Sequence, residues 1–356
     1  MIIYSEGGYV GLLEYGIDIP VLSSRARKTL EHLLADPELA RRQKDWHLPH
    51  GGNQVTREDL VRAHSEGYVA RLYSPRLEEE IIRTYELRDA QGRPHRYHPE
   101  RAVRPLRHLL ERTLYNLSGT YQCGKVALEG GFCYFFGGGA HHAHRDFGKG
   151  FCLLNDIVVA LRKLQAEGAV RTAWVIDVDA HKGDGTADLT AGDESIRTLS
   201  VHMARGWPLD EPGVDELGEP NPSFIPSDID VPIDSGEEDQ YNPRLAEALE
   251  SLAGLPLPGG AAVPDLAIVV DGADPFEADV LPSTQLLRLS SEQMLERDRS
   301  IYRFLDQRGI PAAFLMSGGY GERSWEVIAQ FLQWVLPLRL AGSGPAPATG
   351  PRPQRP

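Results

Sequence analysis

The chain has 356 residues, 41% of them hydrophobic, which is enough to fill the core of one large domain or two ordinary ones, and a formal net charge of -14. That acidity disfavours nucleic acid as a partner, because phosphate binding needs a cationic surface. It leaves a cationic or neutral substrate the better match for long-range attraction.

The chain opens on "MIIYSEGGYV", with no basic stretch followed by an apolar run, so no secretory signal is expected. No segment approaches about 18 consecutive apolar residues, so no membrane span is expected. Three cysteines, Cys123, Cys133 and Cys152, make no even-numbered framework and point to a reducing compartment. The chain therefore reads as cytoplasmic.

Short apolar, β-branched runs alternate with longer helical patterns. Strands are predicted at "MIIY", Phe132–Phe136, Thr172–Val178, Ile196–His202, Leu266–Val270 and Pro311–Ser317. Helices are predicted at Ser24–Leu34, Arg57–Ala63, Arg101–Asn116, Asn155–Glu167, Pro243–Leu252, Ser291–Arg308 and Ser324–Leu336. In Ser291–Arg308, Met294, Leu295, Ile301, Phe304 and Leu305 lie mostly on one face. Strands that are apolar throughout are covered on both faces, and helices between them imply a parallel α/β sheet. No linker divides residues 1–340, which read as one domain. Residues 341–356, "AGSGPAPATGPRPQRP", are Pro/Gly-rich with little apolar bulk and read as a disordered tail.

Four predicted strands end in unusual chemistry: "GGGAHHAHRDFGKGFC", "DVDAHKGDG", "DGADPFEAD" and "SGGYGE". Ligands of open α/β sheets bind beyond the carboxyl ends of the strands, where charge is useful, whereas a core forbids it. Asp179 and His181 are two residues apart, so in an extended segment both side chains reach one ion. Asp274, past another strand, supplies a third ligand. One imidazole and two carboxylates suit a divalent cation of borderline hardness, and three ligands leave positions open for water and substrate. Taken singly, each is an ordinary turn residue or cap; the three together are harder to explain that way.

His141 and His142 follow three glycines, and Asp177 and Asp184 are left over to orient them. A carboxylate fixes the tautomer of an imidazole and raises its basicity. Tyr320, after two glycines at a strand tip, can donate to a developing oxyanion.

These motifs resemble those of the zinc-dependent histone deacetylase superfamily, which includes bacterial acetoin-utilisation and acetylpolyamine amidohydrolase-like members. "GGGAHHA" (Gly137–Ala143), "GFCLLND" (Gly150–Asp156), "DVDAHKGDG" (Asp177–Gly185), "GADPFEAD" (Gly272–Asp279) and "SGGY" (Ser317–Tyr320) occur in that family's order and approximate spacing, and "AHSEGYV" (Ala63–Val69) is similar to its early His–Tyr segment. The flavour is closer to the class IV-like branch. The resemblance implies the arginase–deacetylase fold, a single α/β domain around a parallel sheet of about eight strands flanked by helices.

It further implies one zinc ion per chain (or iron) on Asp179, His181 and Asp274. His142 would be the general base and acid, oriented by Asp184. His141 would pair with Asp177, and Tyr320 would be the oxyanion donor. Gly150, Phe151, Trp207 and Leu281 would contact substrate, Phe151 and Trp207 as channel walls. A structural K+ or Na+ ion would sit near Asp177 and Ser200, and Arg25 or Arg27 would be the arginine of an internal channel. The implied substrate is an acylated lysine of a peptide or protein, with acetyl as default, or a small acylated amine.

Three departures stand out. Leu281 occupies a rim position where acetylpolyamine-selective relatives can carry Glu, which weakens the polyamine alternative. Lys182 follows His181 and should point away from the metal. Pro282 stands where the family usually has Gly. A two-manganese, arginase-like site is disfavoured by Gly183 two residues after His181. A catalytically silent acyl-lysine reader is the alternative of another class, and the intact Tyr320, His142 and ligand set argue against it. Oligomeric state is not legible.

Overall fold

The computed structural model describes residues 1–5, 10–22, 24–89, 91–214 and 218–342. Eight strands form one sheet: β1 (Ile2–Ile3), β2 (His47–Leu48), β3 (Phe132–Phe135), β4 (Ala173–Asp177), β5 (Ile196–Met203), β6 (Ile229–Ile233), β7 (Leu266–Asp271) and β8 (Ala312–Met316). Their spatial order is β2-β1-β3-β8-β7-β4-β5-β6, and every pairing is parallel. This is the single-sheet α/β architecture of the arginase–deacetylase fold, as expected.

The apolar character of the inner strands follows from burial on both faces. Along β4, Trp174 and Ile176 enter one core layer while Ala173 and Val175 enter the other. The first layer is closed by helices Ser24–Leu34, Tyr241–Ala253, Ser291–Gln307 and Ser324–Gly342, and the second by Leu109–Gly130 and Asp156–Ala166. Ser290 caps one helix through the Gln293 N–H, and Asn155 caps another through the Val158 N–H, which fixes where each begins.

Several boundaries differ from expectation. The predicted helix Arg101–Asn116 is two short 3-10 turns, Pro99–Arg101 and Leu106–His108, before the long helix Leu109–Gly130. Arg57–Ala63 shortens to Arg57–Leu60. Ser324–Leu336 extends to Gly342; the rest of the proposed tail, 343–356, lies outside the described residues. No helix among the described residues is long and apolar enough to cross a membrane. Cys123, Cys133 and Cys152 are free thiols.

For the site, the decisive feature is adjacency. β3, β8, β7 and β4 are consecutive in the sheet, and they are the four strands whose carboxyl ends carry the unusual motifs. Parallel pairing brings all four tips to one edge.

Candidate active site

β4 ends at Asp177, and the chain continues as Val178-Asp179-Ala180-His181; β7 ends at Asp271, three residues before Asp274. Asp179, His181 and Asp274 are all buried, and each offers one ligand atom such that all three atoms lie within 4.8 Å of one another. Nδ1 of His181 faces both carboxylates, 3.2 Å from Asp179 Oδ1 and 3.3 Å from Asp274 Oδ2. Asp274 Oδ1 accepts the Ala180 N–H at 3.0 Å, but its Oδ2 is buried without a hydrogen-bond partner. A buried carboxylate oxygen left bare beside a second carboxylate and an imidazole nitrogen is a donor set that fits a divalent cation.

The electrostatics agree. Burial pushes the Asp274 carboxyl up, and the neighbouring charge of Asp179 pushes it further. Asp179 is held well below its usual range, because His141 and His181 outweigh the cost of burying it. Burial alone would lower His181, yet the two carboxylates raise it to about 9.

Beside this cluster stand the paired histidines. His141 donates from Nδ1 to Asp177 Oδ2 at 2.7 Å, and His142 from Nδ1 to Asp184 Oδ1 at 2.7 Å. Their rings are 3.9 Å apart, and their titrations diverge. Burial would lower His141, but Asp177 and Asp179 raise it to about 10. Burial lowers His142, and the positive charge of His141 lowers it further, to about 3. The result is one imidazole that holds its proton and one with a free Nε2 lone pair.

The glycine loop that presents both is fastened by Asp156, which accepts the Gly139 N–H at 3.0 Å and the Ala140 N–H at 2.6 Å. Asp177 faces Ser200 in register across β4 and β5, and Ser200 Oγ accepts the Gly183 N–H at 3.4 Å.

Tyr320 borders the same space. Its N–H donates to Asp279 at 2.7 Å, and burial together with the charges of Asp274 and Asp179 keeps its phenol well above the usual range, hence a donor. Gly150, Phe151, His142, His181, Trp207, Leu281, Ser283 and Tyr320 line a cavity of about 160 Å³, with Glu86 and Arg96 at its margin. Trp207 stands edge-on to His142, with ring centroids 4.6 Å apart.

A tight turn makes this wall. Lys149 and Cys152 exchange two backbone hydrogen bonds, and both central residues are left-handed, Gly150 at φ 54° and Phe151 at φ 66°. A Cβ on Gly150 would lie 2.4 Å from Trp207 and 2.7 Å from His142, so the position requires glycine on two counts. A second cavity of about 150 Å³ lies among Arg25, Gly139, His142, Gly150, Phe151 and Tyr320, among others. Arg25, not Arg27, belongs to it: Arg25 donates to the Gly318 carbonyl at 2.7 Å, while Arg27 pairs with Glu31 on the surface.

The ligand set, the paired histidines with their carboxylates, Tyr320 and the channel residues thus fall at this one edge, and Arg27 does not. Lys182 points away, donating to the Ile225 carbonyl at 2.7 Å. Pro282 opens a 3-10 turn, Pro282–Thr284, that puts Ser283 Oγ 3.1 Å from His181 Nε2. Sequence reasoning missed Ser283, which orients the imidazole of His181. It also missed Asp279 and Asp156, although both end a quoted motif. It gave no sign of Arg297, whose guanidinium, fully buried, bonds the Val178 and Gly272 carbonyls and Asp271 and so ties the tips of β4 and β7 together.

A parallel α/β domain thus gathers, at one sheet edge, a buried Asp-His-Asp set that fits a metal ion, two carboxylate-bound histidines and a tyrosine. The model of the histone deacetylase domain matches residues 20–336, and the chain belongs to the histone deacetylase family. The family implies a metal ion, and the residues present fit one.

Histone deacetylase 2 of Arabidopsis thaliana is 27% identical over 280 residues, which is 79% of this chain and 65% of that protein. Acetylpolyamine amidohydrolase 1 of Pseudomonas aeruginosa is 31% identical over 182 residues, 51% of this chain and 48% of that protein. An uncharacterized protein of Picosynechococcus is 29% identical over 221 residues, 62% and 66% respectively. The chain spans between about half and two thirds of the length of these curated relatives.

Proposed function

We propose that this chain is a zinc-dependent amidohydrolase that removes an acyl group, acetyl by default, from the ε-amine of lysine or a similar linear amine. The observation that carries the reading is the convergence of an acceptor imidazole (His142) and a donor phenol (Tyr320) on one cavity with His181, the imidazole of the cation-fitting Asp179–His181–Asp274 set.

Asp179, His181 and Asp274 would hold the ion, which when bound polarises a carbonyl and acidifies a water molecule. His142, with Nδ1 fixed on Asp184, presents Nε2 to take a proton from the attacking water and later returns it to the leaving amine. His141, which keeps its proton against Asp177, adds positive charge beside the developing oxyanion, and Tyr320 donates a hydrogen bond to it. Phe151 and Trp207 embrace the aliphatic stem, the Gly150 carbonyl receives the amide N–H, and Leu281 gives the rim an apolar face. Asp177 and Ser200, in register on neighbouring strands, are the side chains for a structural K+ or Na+ ion.

Leu281 supplies no anion for a polycationic substrate, which favours acyl-lysine over acetylpolyamine. The test is metal analysis together with turnover of a panel of acyl-lysine peptides and acetylpolyamines. One zinc per chain with acyl-lysine turnover supports the proposal. Two metals per chain, or no hydrolysis of any acylated amine by the metal-loaded protein, overturns it.

A further inference from the structure

Lys149 has no part in the chemistry above, yet it sits beneath it. Its side chain is 14% exposed. The ammonium lies 2.6 Å from Glu211 Oε2, 2.6 Å from Ser223 Oγ and 3.5 Å from Asp184 Oδ2, and 5.3 Å from the centre of the Trp207 ring. An ammonium has three N–H donors, and here each has one acceptor to face.

These partners fall into two groups. Glu211 and Ser223 belong to the excursion between β5 and β6 that carries Trp207, Glu211 four residues after it and Ser223 on the returning segment. Asn221 closes the excursion on itself, donating to the Pro212 carbonyl at 2.9 Å and to Glu211 at 3.4 Å. Asp184, in contrast, is the carboxylate whose other oxygen holds His142. The backbone of Lys149 also begins the turn whose Gly150 lies so close to Trp207 and His142 that a Cβ there would collide with both. One cation is therefore shared between the loop that shapes the cavity and the carboxylate that orients the imidazole.

We propose that Lys149 is a positioning residue that couples the Trp207 wall to the Asp184–His142 pair, so that the substrate channel and the proton-transfer imidazole are set together. The kinetic half of this rests on the deacylase reading; the structural half does not. Removing the ammonium leaves Glu211 without its cation and Oδ2 of Asp184 with His144 alone, whose Nε2 lies 3.3 Å away. The wall loosens and the His142 partner shifts in the same event. A lysine that only packed the loop would affect substrate binding alone.

The experiment uses the full, metal-loaded chain and its best acyl-lysine substrate, with Lys149→Met, Glu211→Gln and the double variant. Lys149→Met is expected to raise KM and to lower kcat about tenfold, the low end of what outer partners of a catalytic constellation cost. Glu211→Gln is expected to raise KM alone. In the double variant KM should rise no further than in Lys149→Met, because both substitutions break one contact.

Acrylamide quenching, compared with a Trp207→Phe reference, should show Trp207 more accessible in Lys149→Met. An unchanged kcat in folded Lys149→Met, or additive KM effects, overturns the coupling. If the parent hydrolyses no acylated amine, the deacylase reading fails, and the quenching comparison still decides: unchanged Trp207 accessibility refutes the structural half, and increased accessibility upholds it.

Discussion

Two clusters of buried charge occupy neighbouring strand tips, and they are built differently. At the base of the tips, Arg297 donates to Asp271 at 2.6 Å, to Asp298 at 2.7 Å and to two backbone carbonyls, while Tyr134 donates to the other oxygen of Asp271 at 2.8 Å. Burial pushes the Asp298 carboxyl well above its usual range, which reduces the negative charge set against the one guanidinium. One residue past Val178 and three beyond the end of β7, Asp179 and Asp274 face each other with no guanidinium or ammonium between them. Their positive neighbours are titratable imidazoles, and Asp274 Oδ2 has no hydrogen-bond partner. A resident cation makes the first cluster a fixed frame. The lack of one makes the second a place where a cation from outside is favoured, and the frame holds the backbone from which that place projects.

The largest effects should come from removing the groups that work beside the second cluster. His142→Ala removes proton transfer and should lower kcat by on the order of 10²–10⁴. Tyr320→Phe removes one oxyanion donor and should lower kcat by on the order of 10²–10³ with metal content unchanged. Asp184→Asn should give a milder loss, by releasing the His142 tautomer. Steady-state kinetics with metal analysis on folded variants checks all three. Wild-type kcat in Tyr320→Phe would refute the proposed mechanism.

The contrast between the clusters is tested by stability. Arg297→Met leaves Asp271 buried beside an apolar chain, a loss of about 3–5 kcal/mol where one partner of a buried ion pair is removed. Asp274→Asn removes one of two crowded carboxylates, so in a chelator the variant should melt at or above the parent temperature while its metal content falls. Thermal unfolding in EDTA measures both. If the two substitutions destabilise alike, the second cluster is a frame as well, and its carboxylates need another explanation.

Much of this was legible in the sequence because the chemistry is local. "DVDAHKGDG" puts four site residues on one strand tip, and "GGGAHHA" puts two on another, so order along the chain was enough. What was not legible depends on distant contacts. Arg297 lies on a helix whose apolar face is readable, but nothing in the period of that face says an arginine turns inward to meet Asp271. The helix predicted to end at Asn116 continues to Gly130, through Gly119 and Gly124, two residues of low helix propensity. Gly119 is there because a Cβ would lie 2.1 Å from the Phe135 ring. β6 was missed because Pro232 interrupts it; as an edge strand it tolerates a missing N–H. Ser283 reaches His181 only because Pro282 starts a 3-10 turn, and no residue spacing along the chain encodes that contact.

A smaller effect separates channel from chemistry. Trp207→Ala should raise KM more than it lowers kcat, since the ring contacts substrate equally before and during reaction. A change in kcat alone would place Trp207 among the proton-transfer groups it touches, and unchanged kinetics would place it outside the channel.

The smallest effect concerns a third kind of buried polar group, held by neutral partners only. His64 Nδ1 donates to the His144 carbonyl at 2.9 Å, and its Nε2 accepts the Asn155 N–H at 3.0 Å. Both nitrogens are committed, so a second proton would have to break the Asn155 bond. Burial lowers the imidazole from 6.5 to about 4. In the unfolded chain His64 takes up its proton near 6.5, whereas the folded chain resists until about pH 4. Between those values the unfolded state binds more protons, so stability falls as pH falls through that window and is fully present above it. His64→Gln keeps one donor and one acceptor but no titrating group. Its unfolding free energy, measured by urea titration from pH 7 to pH 4.5, should lose less with acid than the parent does, although it starts lower at pH 7. Equal slopes in parent and variant would mean that His64 titrates alike in both states, and that the link from the glycine-loop segment to Asn155 does not depend on a neutral imidazole.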